Sequence, residues 1–115
     1  MRFLLLLVCA LSVSASAPAA ETAPPPNPGT ALITGSDRGI GLALTREFIS
    51  RGWQVIATCR DPSRATALIA LAKDHPGVSI ERLAVTDHAA IDALVARLKG
   101  RPIDALVNNA GVMAV

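Results

Sequence analysis

The stretch Thr34-Gly35-Ser36-Asp37-Arg38-Gly39-Ile40-Gly41 limits what this chain can fold into more than any other part of it. Three glycines within seven residues stand between the apolar run Ala31-Leu32-Ile33 and a segment of helical periodicity. The order reads as strand, tight turn and helix. Glycine suits such a turn because the backbone must take angles that a Cβ disfavours, and because a bound group must come close to the main chain. A helix that begins at Gly39 or Ile40 points its free N–H groups and the positive end of its dipole at the turn, which makes a seat for a phosphate. The spacing is Gly-x-x-x-Gly-x-Gly rather than the commoner Gly-x-Gly-x-x-Gly. A ligand-free turn between a strand and a helix uses the same residues, so the remainder of the chain has to decide between the two.

Beyond the turn, apolar runs alternate with amphipathic segments. Ile40, Leu44 and Phe48 recur on one helix face, with Arg46, Glu47 and Arg51 free for the other, and Gly52 falls where a helix ends. Gln54 to Thr58 reads as a second strand whose Val-Ile-Ala core is buried on both faces, as in a parallel sheet. Asp61 and Pro62 supply an N-cap and a first residue for a helix through Lys73, with Leu68, Leu71 and Ala72 on its packing side. His75-Pro76-Gly77 breaks that helix. Val78 to Val85 forms the third strand, and Thr86 or Asp87 caps a helix with a buried stripe of Ile91, Leu94, Val95 and Leu98. Gly100 and Pro102 end it, and Ile103 to Val107 is a fourth strand running into Asn108-Asn109-Ala110-Gly111. Strands alternating with helices in this way predict an α/β fold: a Rossmann-type open parallel sheet of order 3-2-1-4, truncated after the fourth strand.

The N-terminal part is of a different kind. Arg2 precedes the apolar run Phe3 to Leu11, and small residues follow at Ser14, Ala15, Ser16 and Ala17, the form of a secretory signal peptide over residues 1–17. The run falls short of the about 20 apolar residues that a transmembrane helix needs, so the mature chain has no stable membrane span. Cleavage after Ala15, Ala17 or Ala19 would leave small residues at the two recognised positions, and Pro18 makes the middle site the least favourable. Residues 18–29 are rich in proline and alanine and read as an extended linker, and residues 30–115 as a partial nucleotide-binding domain. A cleaved leader implies a secreted or periplasmic protein, whereas a mis-assigned start codon implies a cytoplasmic one. The net charge of +2 over 115 residues is too balanced to suggest a nucleic-acid or anionic-membrane partner. Of the two cysteines, Cys9 lies in the leader, so Cys59 has no internal disulfide partner. His75 and His88 have no ligand-type neighbours at metal-binding spacing, and no metal site is expected.

With Thr34 to Gly41 after the first strand and Asn108-Asn109-Ala110-Gly111 after the fourth, the chain resembles the short-chain dehydrogenase/reductase family from Thr30 to Val115. Ala57-Thr58-Cys59-Arg60-Asp61-Pro62 is similar to the branch containing sniffer-type carbonyl reductases and C-factor proteins. The resemblance implies an NAD(P)-dependent oxidoreductase acting on a small carbonyl or alcohol, and an oligomeric full-length protein. Its cofactor-binding residues would be Gly35, Ser36, Asp37, Arg38, Gly39, Ile40 and Gly41 in the turn, Arg60 after the second strand, Ala84 and Val85 after the third, and Asn108, Ala110 and Gly111 after the fourth. Arg38 and Arg60 stand where relatives hold the 2′-phosphate of NADP, which points to NADP over NAD. Asp61 is acidic and one residue further on, and Pro62 beside it marks it as a helix cap. Family members commonly carry an acidic or amide residue at position 84 to hold the adenine amino group. Ala84 cannot, which leaves Val85 to offer its backbone and an apolar wall.

The family's chemistry is hydride transfer, with a tyrosine as acid/base, a lysine that lowers its pKa and a serine that orients the substrate. The chain contains no tyrosine. It is therefore expected to be the cofactor-binding half of such an enzyme, without catalytic residues and inactive alone; the alternative is a nucleotide-binding module that never catalyses. The fourth strand would then stand unpaired on its outer side, an edge that favours association with other chains. The leader makes a separate prediction: mass spectrometry of the expressed protein finds an N-terminus between Ser16 and Ala20, and an intact Met1 on a soluble product refutes export.

Overall fold

The computed structural model describes residues 27–111, so the leader and the linker up to residue 26 lie outside the described residues. Four strands form one parallel sheet: β1 (Thr30–Ile33), β2 (Gln54–Cys59), β3 (Val78–Arg82) and β4 (Ala105–Val107), in the order β3-β2-β1-β4. Three helices connect them, α1 (Gly39–Ser50), α2 (Thr66–Asp74) and α3 (His88–Arg97), and a short 3₁₀ turn spans Pro62–Arg64. The order and direction of the strands are those expected from the alternation of the sequence.

The central strands are buried because both sheet faces are covered. Alternate residues of β1 and β2 serve opposite layers, as the two-residue repeat of a strand requires. Ile33, Val55, Ala57 and Cys59 face one side with Ala65 and Leu68, against which Leu44, Phe48 and Ile49 of α1 and Leu71 of α2 pack. Leu32 and Ile56 face the other with Leu83, Leu94 and Leu98, closed by Ile91 of α3. Register places Ile33 beside Ala57 on one side and Val107 on the other, so β1 and β4 end level with each other while β2 runs on two residues to Cys59. Trp53 packs at the rim, edge-on to Phe48, with ring centroids 5.2 Å apart at 80°.

Several element boundaries differ from the sequence reading, each for an identifiable reason. Ile40 is 72% exposed. The inward position in the first turn of α1 belongs to Gly41, one residue and about 100° of helix rotation away, and Thr45 continues that row. Val95 is likewise 63% exposed, because Leu94 and Leu98 already fill the inward positions of α3. The helix expected from Pro62 is interrupted. Asp61 caps the 3₁₀ turn by accepting the Ser63 amide proton at 3.1 Å, and buried Ala65 leaves helical angles before α2 begins. β3 stops at Arg82: Leu83 still donates its amide to the Cys59 carbonyl, and a turn closed by the Asp87 amide on the Ala84 carbonyl follows. Asp87 is then the N-cap of α3, accepting the Ala90 amide proton at 3.2 Å. β4 starts at Ala105 rather than Ile103, because Asp104 is spent on a separate contact. Its carboxylate accepts the Thr30 amide proton at 2.8 Å while its own amide donates to the Thr30 carbonyl. Among the described residues β4 pairs with β1 only, and Leu106 on it is exposed.

The core assignment yields a direct comparison. Leu68→Ala, at a position with no exposed surface, is expected to lower unfolding free energy by about 2–5 kcal/mol in urea titration. Val95→Ala, on the outer side of α3, should stay within about 0.5 kcal/mol of the parent.

Candidate functional site

The site is built where the C-terminal ends of all four strands meet the start of α1. After Ile33 the chain turns sharply through Gly35, at φ 67°, and Gly39, at φ 57°, both in the left-handed region that glycine tolerates. Ser36 is buried beneath the turn, its hydroxyl donating to the Ile33 carbonyl at 2.7 Å and its amide to the Thr58 carbonyl at 2.9 Å. Gly41 packs against the Gly35 carbonyl so closely that a Cβ there would overlap it. That contact brings the start of α1 down onto the turn. Among the described residues no side chain caps this helix, and its first turn holds no acidic residue, which leaves the N–H end of the helix open to an anion.

The segment after β4 is fastened to the same turn. Thr34 Oγ1 accepts the amide protons of Asn109 and Ala110, each at 3.0 Å, and donates to the Val107 carbonyl at 3.3 Å. The Asn109 side-chain amide donates to the Gly35 carbonyl at 3.1 Å. One hydroxyl and one carboxamide thereby fix the spacing between the loops after the first and last strands.

Between these loops lies a cleft of about 260 Å³. Gly35, Asp37 and Arg38 come to it from the first loop, Arg60 and the end of β2 from the second, Leu83, Val85 and Thr86 from the third, and Asn109, Ala110 and Gly111 from the fourth. A shallower depression of about 310 Å³ adjoins it, sharing Asp37, Arg38 and Arg60 and adding Asp61 and Arg64. Arg38 pairs with Asp37 at 3.3 Å and Arg64 with Asp61 at 3.6 Å, whereas Arg60 makes no ion pair among the described residues. Burial, and then the Asp37 and Asp61 carboxylates, push the Cys59 thiol above its usual range, so it stands at the cleft as a neutral group. The Ser63 hydroxyl holds the Asp61 carboxyl below its usual range, with the Ser63 amide and the charges of Arg64 and Arg82 acting in the same direction.

Of the residues expected from the sequence, Gly35, Asp37, Arg38, Arg60, Val85, Ala110 and Gly111 line the cleft. Gly39, Ile40 and Gly41 form the first turn of α1 beside it, and Ser36 lies underneath. Ala84 does not line it. Ala84 instead lines a separate groove with Ala90, Ala93 and Arg97 of α3, while its neighbours Leu83 and Val85 line the cleft, because the chain leaves β3 at Arg82 and turns toward the Asp87 cap. Asn108 is exposed and outside the cleft, and Asn109 takes the inward place. The sequence reading missed Cys59, Leu83, Thr86 and Asn109. For Cys59 and Leu83 the available signal was position, since each is the last or next residue of a strand that ends at the cleft. Among the described residues there is no group of His, Cys, Asp and Glu that could hold a metal ion, and no helix is long and apolar enough to cross a membrane.

Residues 29–115 match the family model for short chain dehydrogenases. The chain belongs to that family. It is similar to serine 3-dehydrogenase of Agrobacterium fabrum, with 42% identity over 87 residues that make up 73% of this chain and 34% of that protein. Among solved structures it resembles a short-chain dehydrogenase/reductase of Burkholderia multivorans with bound NADP, at 46% identity and a TM-score of 0.69, over 75% of this chain and 37% of that one. It also resembles a carbonyl reductase of Pseudomonas aeruginosa in complex with NADP, at 35% identity and a TM-score of 0.69, over 73% of this chain and 39% of that one. The chain thus spans about a third of the length of the curated relatives it matches.

The Thr34 fastening carries its own prediction. Thr34→Val removes the acceptor for two amide protons and should cost about 1–3 kcal/mol for each one left unsatisfied. Hydrogen exchange at Asn109 and Ala110 should accelerate in Thr34→Val and remain slow in Thr34→Ser, which keeps the hydroxyl.

Proposed function

We propose that this chain forms the NADP(H)-binding half of an oxidoreductase that moves hydride between the cofactor and a small carbonyl or alcohol. The observation that carries the reading is the continuity of two features. The uncapped start of α1 at the glycine turn opens directly into a depression lined by Arg38 and Arg60. The helix N-terminus suits a pyrophosphate and the arginines suit a terminal phosphomonoester, which NADP carries on its adenine ribose and NAD lacks. The NADP-bound relatives in Burkholderia multivorans and Pseudomonas aeruginosa support the same choice.

The residues divide the work. Gly35, Gly39 and Gly41 give the close approach, and the first amides of α1 face the anion. Arg60, without a carboxylate partner among the described residues, and Arg38, itself exposed and paired with the half-buried Asp37, offer donors to the ribose phosphate. Val85 supplies an apolar flank beside Leu83. Asn109 and Thr34 set the width of the cleft, and Ala110 and Gly111 keep its floor low. The cofactor supplies the hydride. No acid/base tyrosine occurs in these 115 residues, so by this reading they bind cofactor without turning it over. The alternative is a binding module that never catalyses; an open frame continuing past Val115 into a serine and a Tyr-x-x-x-Lys motif separates the two.

The charge at position 60 tests the cofactor assignment. Loss of a charge-assisted contact is worth about 1.5–3 kcal/mol, so Arg60→Asp should weaken NADPH binding at least about tenfold in calorimetric titration. NADH binding should change little, and an equal loss for both cofactors would overturn the assignment.

A further inference from the structure

The acidic residue at the end of β2 presents a contradiction. A carboxylate near this position favours NAD, by accepting hydrogen bonds from its ribose hydroxyls and by repelling a 2′-phosphate. Asp61 is such a carboxylate, it lines the same depression as Arg38 and Arg60, and it is about half exposed. Its surroundings show how the conflict is settled. One carboxylate oxygen accepts both the amide and the hydroxyl protons of Ser63, and the other faces the Arg64 guanidinium at 3.6 Å. Arg82, across on β3, adds a further attraction. Both oxygens are therefore turned toward the 3₁₀ turn that follows, which has Pro62 at its first position and is capped by Asp61 itself. The depression holds three arginines and two aspartates. Asp37 and Asp61 each engage one arginine, which leaves a positive charge in excess at Arg60.

We propose that Arg64 sets cofactor choice by neutralising Asp61, keeping that carboxylate from the ribose hydroxyls of NAD and from opposing the 2′-phosphate of NADP. Arg64 is here a positioning residue: it acts through Asp61 and need not touch the cofactor. The inference rests on the NADP reading above and extends it from the arginines nearest the glycine turn to a residue four positions beyond Arg60. Without Arg64, the Asp61 carboxylate regains a free oxygen and an uncompensated charge at the edge of the depression. NADP then meets a repulsion and NAD gains an acceptor, so the two affinities move in opposite directions.

The experiment is calorimetric titration of the full chain with NADPH, NADH, 2′,5′-ADP and 5′-AMP, the last two isolating the contribution of the 2′-phosphate. Arg64→Ala, at a side chain that is 88% exposed, should lower the preference for NADPH over NADH, and for 2′,5′-ADP over 5′-AMP, by about fivefold, the scale of a surface charge pair. The double variant Asp61→Asn/Arg64→Ala should return both preferences to the parent value, since no carboxylate is left to mask. A preference that Arg64→Ala leaves intact overturns the proposal. So does a loss that Asp61→Asn fails to restore, which would make Arg64 a direct phosphate ligand instead. If the parent chain itself binds 2′,5′-ADP no better than 5′-AMP, the NADP reading falls and takes this one with it; a parent preference unaffected by Arg64 removes this one alone.

Discussion

The contact between Gly41 and the Gly35 carbonyl governs how the rest of the molecule is arranged. A helix cannot begin this close to the preceding strand unless the residue at its inward position has no side chain. Once it does begin there, three consequences follow together. The open N–H end of α1 faces the cleft. The Gly35 carbonyl remains accessible to the Asn109 carboxamide at 3.1 Å. The turn is also drawn under the end of β2, where the Ser36 amide reaches the Thr58 carbonyl at 2.9 Å. The loop after β1 is thus bonded to the strands on both sides of it. Rigidity of this kind matters for a phosphate seat, because amides that need no rearrangement bind an anion without first paying to be ordered.

The sheet order and the core were legible in the sequence because they depend on periodicity, which is a local property. Val55, Ile56 and Ala57 in one run announce a strand covered on both faces, and Leu68, Leu94 and Leu98 announce the faces that cover it. The ends of elements were less legible because they depend on distant partners. Asp104 leaves the fourth strand to bind Thr30, and Thr34 selects Asn109 over Asn108, each through hydrogen bonds between residues more than 70 positions apart. No window of sequence contains both partners. Ile40 and Val95 show the other limit of periodicity. Apolar residues adjacent to an inward row match a helical pattern almost as well as the row itself, and only the close approach at Gly41 or the fit of Leu94 decides which neighbour turns outward.

The site residues were read from the sequence to a similar depth. Glycines and arginines at strand ends were legible as cleft-lining positions because the strand ends of a parallel α/β sheet gather at one side, where Gly35, Arg38 and Arg60 meet. The sides of β3's continuation were not readable in the same way. Ala84 and Val85 lie in the turn between β3 and α3, where no strand period applies, and which of them lines the cleft is set by where β3 leaves its pairing with β2 at Cys59 and Arg82 and by the turn closed by the Asp87 amide.

The arginines of the cleft carry a further lesson about how weak pairs assist a binding site. Arg38 and Arg64 are each paired with a nearby aspartate while their own side chains stay largely exposed, and pairs open to solvent in this way contribute little. A phosphate that offers a charge-assisted contact of about 1.5–3 kcal/mol can therefore draw Arg38 away from Asp37 at small cost. Until then Asp37 holds the guanidinium near the turn. Asp61 differs because Ser63 as well as Arg64 engages it, so its carboxylate has more to lose by moving. The two acidic residues are close in the depression yet differently held: Asp37 pairs with the Arg38 guanidinium beside the glycine turn, while Asp61 is engaged by both Ser63 and Arg64 of the turn that follows it.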